Sequence, residues 1–113
     1  MRMAELLLAN KAEVNAKADM GYTPLHGSAL NGHKGMAELL LANADEVNAK
    51  VDTGFTPLHL AADEGHKDVA ELLLANKAEV NATNNEGETP LHVAVAKGHK
   101  EVAELLRQHG GHE

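Results

Sequence analysis

The chain repeats itself every 33 residues, and that period limits what it can fold into more than anything else in it. Thr23-Pro24-Leu25-His26 returns as Thr56-Pro57-Leu58-His59 and again as Thr89-Pro90-Leu91-His92, each copy 33 residues after the last. Gly32-His33, Gly65-His66 and Gly98-His99 keep the same interval, as do Ala37-Glu38-Leu39-Leu40, Ala70-Glu71-Leu72-Leu73 and Ala103-Glu104-Leu105-Leu106. Earlier partial copies stand at Ala4-Glu5-Leu6-Leu7 and Val14-Asn15-Ala16, the latter matching Val47-Asn48-Ala49 and Val80-Asn81-Ala82. Several registers in phase mark a stack of like units, because one such unit cannot cover its own apolar face.

Within a unit, Thr56 suits an N-cap and Pro57 the first helical position, where a missing N–H costs nothing. Leu58, Ala61 and Ala62 fall at i, i+3, i+4, giving one narrow stripe whose small members let short helices approach closely. Gly65 breaks this helix. A second runs from about His66 to Ala75, with Val69, Leu72 and Leu73 at the same spacing. From Asn76 to Gly87 the chain is polar and aperiodic, the pattern of a projecting loop or hairpin-like turn. A connection of that length is often functional. With 43% apolar residues but only 2% aromatic, the core has to be built from Leu, Ala and Val.

Thr-Pro-Leu-His, the Ala-Ala that follows, Gly-His, Leu-Leu-Leu and Val-Asn-Ala at this period resemble the ankyrin repeat. The resemblance implies an all-α solenoid of helix-turn-helix units with projecting β-turn loops. It covers nearly all of residues 1–113, taken as a single domain: a half repeat at 1–17, then repeats at 18–50, 51–83 and 84–113. Ankyrin repeats usually place Gly just after Leu-Leu-Leu, where the backbone turns left-handed. Here Lys11, Ala44 and Lys77 hold that position and Gly110 alone fits. Either the preceding Asn10, Asn43 and Asn76 take the left-handed residue, or the Lys is strained by about 1 kcal/mol. The first full repeat is the least regular, with Gly27 and Ser28 where the next has Leu60 and Ala61, Gly35 in place of Asp68, and Leu30 in place of Asp63. Met3, Leu6 and Leu7 form an apolar stripe with no first helix before them. The other end reads as a polar stop, Arg107-Gln108-His109-Gly110-Gly111.

Several functions are disfavoured. A net charge of −7 repels phosphate backbones, so no nucleic-acid partner is expected. No apolar run reaches the roughly 18–20 residues of a membrane span, and the N-terminus lacks a secretory layout, so the expected setting is cytoplasmic. Cysteine is absent, which removes thiolate chemistry. Six of the eight histidines (His26, His33, His59, His66, His92, His99) follow the repeat, and the resemblance gives the Thr-Pro-Leu-His histidine a hydrogen bond between turns. His109 and His112 read as a floppy tail. Neither Asp63-Glu64 nor Glu86-Gly87-Glu88 has an apolar setting to raise a carboxyl pKa. No enzyme activity, metal or other cofactor is expected.

The resemblance instead implies a protein-binding module gripping its partner with turn tips and first helices along a concave face. By register, the first full repeat offers Asp19, Met20, Tyr22, Leu30 and Asn31, and the second Asp52, Thr53, Phe55, Asp63 and Glu64. The last offers Asn85, Glu86, Glu88, Ala96 and Lys97. Tyr22 and Phe55, the sole aromatics, share one register and read either as binding anchors or as packing for their own turns. Six acids (Asp19, Asp52, Asp63, Glu64, Glu86, Glu88) against Lys97 leave this set at −5, which favours a basic protein partner or else serves solubility alone. On the second helices, Lys34–Glu38, Lys67–Glu71 and Lys100–Glu104 recur at i, i+4 as expected solvated pairs. A monomer is expected, with self-association through the uncovered half repeat as the alternative. A truncated or engineered scaffold fragment without a partner of its own is the competing reading of the whole chain.

Overall fold

The structure, a computed structural model, describes residues 19–43 and 46–113. The half repeat at 1–17 and Ala44 lie outside the described residues. A short 3-10 turn, Asp19–Gly21, leads into six α-helices: α1 Pro24–Asn31, α2 Lys34–Asn43, α3 Pro57–Glu64, α4 Lys67–Ala75, α5 Pro90–Ala96 and α6 Lys100–Gln108. Each first helix packs against the second helix of its own pair. Across pairs, α1 contacts α3 and α3 contacts α5, while α2 contacts α4 and α4 contacts α6. The described residues form a two-layered all-α stack, as the period requires.

The helix starts follow from the Thr-Pro-Leu-His motif. The Thr23, Thr56 and Thr89 hydroxyls accept the backbone N–H groups of His26, His59 and His92 at 3.2–3.3 Å, with Pro in the first turn. In α1 and α3 the histidine answers in kind, its Nδ1 accepting the Thr23 or Thr56 N–H at 3.0 and 3.1 Å. This is a capping box with imidazole in the place usual for Glu or Gln. An accepting Nδ1 leaves the proton on Nε2, which then donates to the Ala49 carbonyl from His26 and to the Glu88 carbonyl from His59, both at 2.8 Å. His26 and His59 thus tie their helices to the loop that follows, whereas His92, in the last copy of the motif, is half-exposed and faces Glu88 and Glu113 instead.

The other histidine series ties the pairs together. His66 Nε2 donates to the Leu30 carbonyl at 3.1 Å and His99 Nε2 to the Asp63 carbonyl at 3.0 Å. The rings lie over Gly32 and Gly65, left-handed at φ 71° and 75°, where a Cβ would come within 2.6 Å of the imidazole Nδ1. Glycine is therefore required there twice over, by backbone conformation and by room for the ring.

The ending of α4 decides between the two sequence alternatives. Asn76 keeps a negative φ of −106° and Lys77 is left-handed at φ 73°. The Ala78 N–H reaches the Leu73 carbonyl at 3.0 Å and the Lys77 N–H the Leu74 carbonyl at 3.2 Å, the paired bonds of a Schellman ending. One unit on, Gly111 and Gly110 make the matching bonds to Leu106 and Arg107.

The core runs unbroken along the stack: Leu25 and Ala29, then Leu58, Ala61 and Ala62, then Leu91 and Ala94, against Leu40, Leu73 and Leu106 of the second helices. Two surface expectations need correction. The tail is held: Asn81 Nδ2 donates to the Gly110 carbonyl at 3.1 Å, Asn81 Oδ1 accepts the His112 N–H at 3.0 Å, and the Thr89 hydroxyl donates to the His112 carbonyl at 2.6 Å. Asn48 clamps Lys77 and Glu79 in the same manner 33 residues earlier, so the repeat itself pins what composition suggested would be loose. The recurrent i, i+4 Lys–Glu pairs do not close either. Ion pairs among the described residues are Lys97–Asp63 at 3.2 Å and Arg107–Glu104 at 4.0 Å, while the His92 ring lies 3.4 and 3.8 Å from the Glu88 and Glu113 carboxylates. Exposed flexible side chains gain little from pairing in water.

Candidate functional site

The projecting turns are closed individually and then joined. Gly54 N–H to the Val51 carbonyl (2.8 Å) and Val51 N–H to the Phe55 carbonyl (3.0 Å) shut one turn, and Gly87 with Asn84 and Asn84 with Glu88 shut the next, both at 3.0 Å. Gly54 and Gly87 are left-handed, as a three-residue hairpin loop demands at its last position. Between turns, the Asp52 N–H donates to the Met20 carbonyl at 2.8 Å and the Asn85 N–H to the Thr53 carbonyl at 3.0 Å. Asn85 Nδ2 adds a bond to the Asp52 carbonyl at 2.8 Å, and Lys50 Nζ one to the Thr83 carbonyl at 2.9 Å. Three tips are held in line by main-chain bonds, so their side chains are free to differ.

Those side chains divide into exposed and engaged groups. Met20, 57% exposed, stands at the first tip in a left-handed conformation (φ 67°) that L-residues rarely adopt. Asp52, Thr53, Asn85 and Glu86 are exposed at the next two tips, and Asn31, Glu64, Ala96 and Lys97 at the first-helix ends. The Asp19 side chain lies outside the described residues. Asp63 is committed to Lys97, and Glu88 accepts from Asn84 Nδ2 at 2.8 Å while facing His92. The acidity of the edge is thus smaller than a residue count implies, with Asp52, Glu64 and Glu86 carrying most of it.

The two aromatics are half-buried. Tyr22 meets the His26 ring edge-on at 5.7 Å and Phe55 the His59 ring at 5.3 Å, and both pack against the core. One side of each ring therefore supports its own turn. Leu30 is likewise half-buried, its carbonyl taken by His66.

Sequence reasoning overlooked Asn84. It is buried where the preceding unit has the buried Val51, and its Oδ1 accepts the N–H groups of Glu86 and Glu88 at 2.9 and 3.0 Å. A polar residue at a register otherwise apolar was the available signal. Chemically the edge offers recognition. Burial lowers the pKa of His59, outweighing the bond to the Glu88 carbonyl that would raise it, so its ring is a neutral structural donor. Among the described residues no cluster of three or more His, Asp or Glu could hold a metal, and no helix is long and apolar enough to cross a membrane.

A family model described as ankyrin repeats (3 copies) matches residues 1–84 and 46–113. No curated protein matches the chain.

Proposed function

We propose that this chain, which belongs to the ankyrin-repeat family, binds a protein partner along the edge formed by its turn tips and first-helix ends. Ankyrin repeats are in general protein–protein interaction modules, and the proposal assigns this member a face and a partner charge. The ladder of bonds from Asp52 to Met20 and from Asn85 to Thr53 carries the reading. It holds variable side chains on a rigid frame, which reduces the ordering cost of binding. Met20 is the exposed apolar contact of the first tip, with Tyr22 and Phe55 offering their open faces beside it. Asp52, Glu64 and Glu86 favour a basic partner surface and speed its approach at low salt.

The test is affinity capture by the wild type against Met20→Ala and Asp52→Lys/Glu86→Lys, substitutions at exposed sites. A partner retained by the wild type should be lost or released at lower salt by both variants, with unchanged circular dichroism. Equal retention by all three proteins would remove this face from consideration.

A further inference from the structure

We infer that Asn31 is a self-modification site, where the Gly32 amide nitrogen displaces the side-chain amide and water then leaves an acid, and that the His66 ring governs its rate. The inference concerns the chain's own chemistry and does not depend on the partner proposed for the edge.

Asn31 is the only asparagine in the chain followed by glycine. The others precede Ala, Lys, Asn or Glu, whose side chains crowd the attacking nitrogen, and glycine has none. The fold calls for that glycine on separate grounds, because the slot under His66 needs a left-handed residue without a Cβ. At the same register the next two glycines follow Glu64 and Lys97, which carry no amide to lose. Overall the reaction is a hydrolysis. A bond forms between Gly32 N and Asn31 Cγ, the Cγ–Nδ2 bond breaks, and the nitrogen leaves as ammonia with the Gly32 amide proton. Water then opens the cyclic imide at either carbonyl. Cleavage at Cγ gives an aspartyl residue. Cleavage at the main-chain carbonyl gives an isoaspartyl one, whose backbone runs through the former side chain.

The junction holds the reaction back. Asn31 is exposed in the last turn of α1, but its Nδ2 donates to the Gly27 carbonyl at 2.9 Å and the Gly32 N–H donates to the Ser28 carbonyl. Ring closure requires Asn31 to leave the helical conformation and release both bonds. A terminal turn alone opens at little cost. His66, from the next pair, pins this one by donating to the Leu30 carbonyl at 3.1 Å while its ring covers Gly32. The rate therefore follows the population in which this junction is open. The two products differ in their effect. Glu64 precedes Gly65 with His99 still seated on the Asp63 carbonyl at 3.0 Å, so an acid at this register leaves the junction whole. The isoaspartyl form puts an extra methylene between the Leu30 carbonyl and Gly32, the two walls of the slot, and unseats His66. Either product adds a negative charge to the first-helix ends.

Peptide mass spectrometry of the full chain aged at mildly alkaline pH makes the test, with circular dichroism to establish folding. In the wild type Asn31 should lose ammonia ahead of the other asparagines among the described residues, and faster still in urea, where no turn protects it. His66→Ala should speed the loss about two- to tenfold, the gain in open junction from one missing hydrogen bond. His99→Ala removes the equivalent bond one junction on and should leave the Asn31 rate within about twofold of the wild type, because openings are local. A further measurement needs neither histidine variant. Ion exchange separates the aspartyl and isoaspartyl forms of the aged wild type; the first should melt with Asn31→Asp and the second below it. Another of those asparagines reacting first in the folded chain, His66→Ala reacting no faster than His99→Ala, or two product forms that melt alike would each overturn the inference.

Discussion

Replacing Lys77 with glycine should stabilise the stack. Lys77 sits at φ 73° just past α4, its side chain exposed, and its contribution there is made by backbone atoms: its N–H to Leu74, and its carbonyl, which receives Asn48 Nδ2. Glycine makes the same bonds. An L-residue in the left-handed region costs about 1–2 kcal/mol. Against that, glycine enlarges the conformational freedom of the unfolded chain by about 0.4–1 kcal/mol. The difference is a gain of about 0.5–1 kcal/mol, equivalent to a rise in Tm of roughly 2–6 °C for a domain of this size. Scanning calorimetry of the wild type, Lys77→Gly and Asn76→Gly makes the comparison. Asn76 has an ordinary negative φ of −106°, so Asn76→Gly relieves no strain there and should lower the Tm. No rise for Lys77→Gly, or an equal rise for Asn76→Gly, would refute the argument that strain resides at Lys77.

Other perturbations follow from the same geometry. A Cβ at Gly27 or Gly35 meets nothing within 4 Å, so Gly27→Ala and Gly35→Ala should each raise the urea midpoint by an amount worth about 0.5–1 kcal/mol. Gly65→Ala should do the reverse and cost more than the backbone penalty of about 1–2 kcal/mol, because its Cβ would also strike the His99 ring; thermal unfolding reads the loss. Since folding lowers the pKa of His59, the unfolded chain binds the proton more readily. That contribution to stability is complete above pH 6.5, the ordinary value, and is lost as pH falls toward the folded pKa, at up to about 1.4 kcal/mol per pH unit. Urea titrations above and below pH 6.5 should show the midpoint falling with acid, and less so in His59→Gln.

The period, the caps and the stripes were legible because each depends on residues close in sequence. Thr23, Thr56 and Thr89 with their following prolines give the start of every first helix, and Leu58, Ala61 and Ala62 are all buried. The bridging roles of His66 and His99 were hidden, since their acceptors lie 36 residues back and a carbonyl has no sequence signature. The tail misled for a similar reason: Gly110, Gly111 and His112 look unstructured until Asn81 is seen to reach them. At the candidate edge, register placed the tips correctly in line. It could not foresee that Asp63 would be neutralised by Lys97 or that Glu88 would be drawn toward Asn84 and His92, because both depend on neighbours brought close by stacking.

The glycine beneath each imidazole also governs how such an array can change its length. Ring and receptor belong to successive copies of one segment, so a duplicated segment arrives with a key for the copy before it and a lock for the copy after. Growth or loss by whole segments preserves every junction. A single residue inserted within α3 would instead turn everything after it by about 100° about the helix axis and carry the His66 ring off its seat, so the array changes length most readily by whole segments.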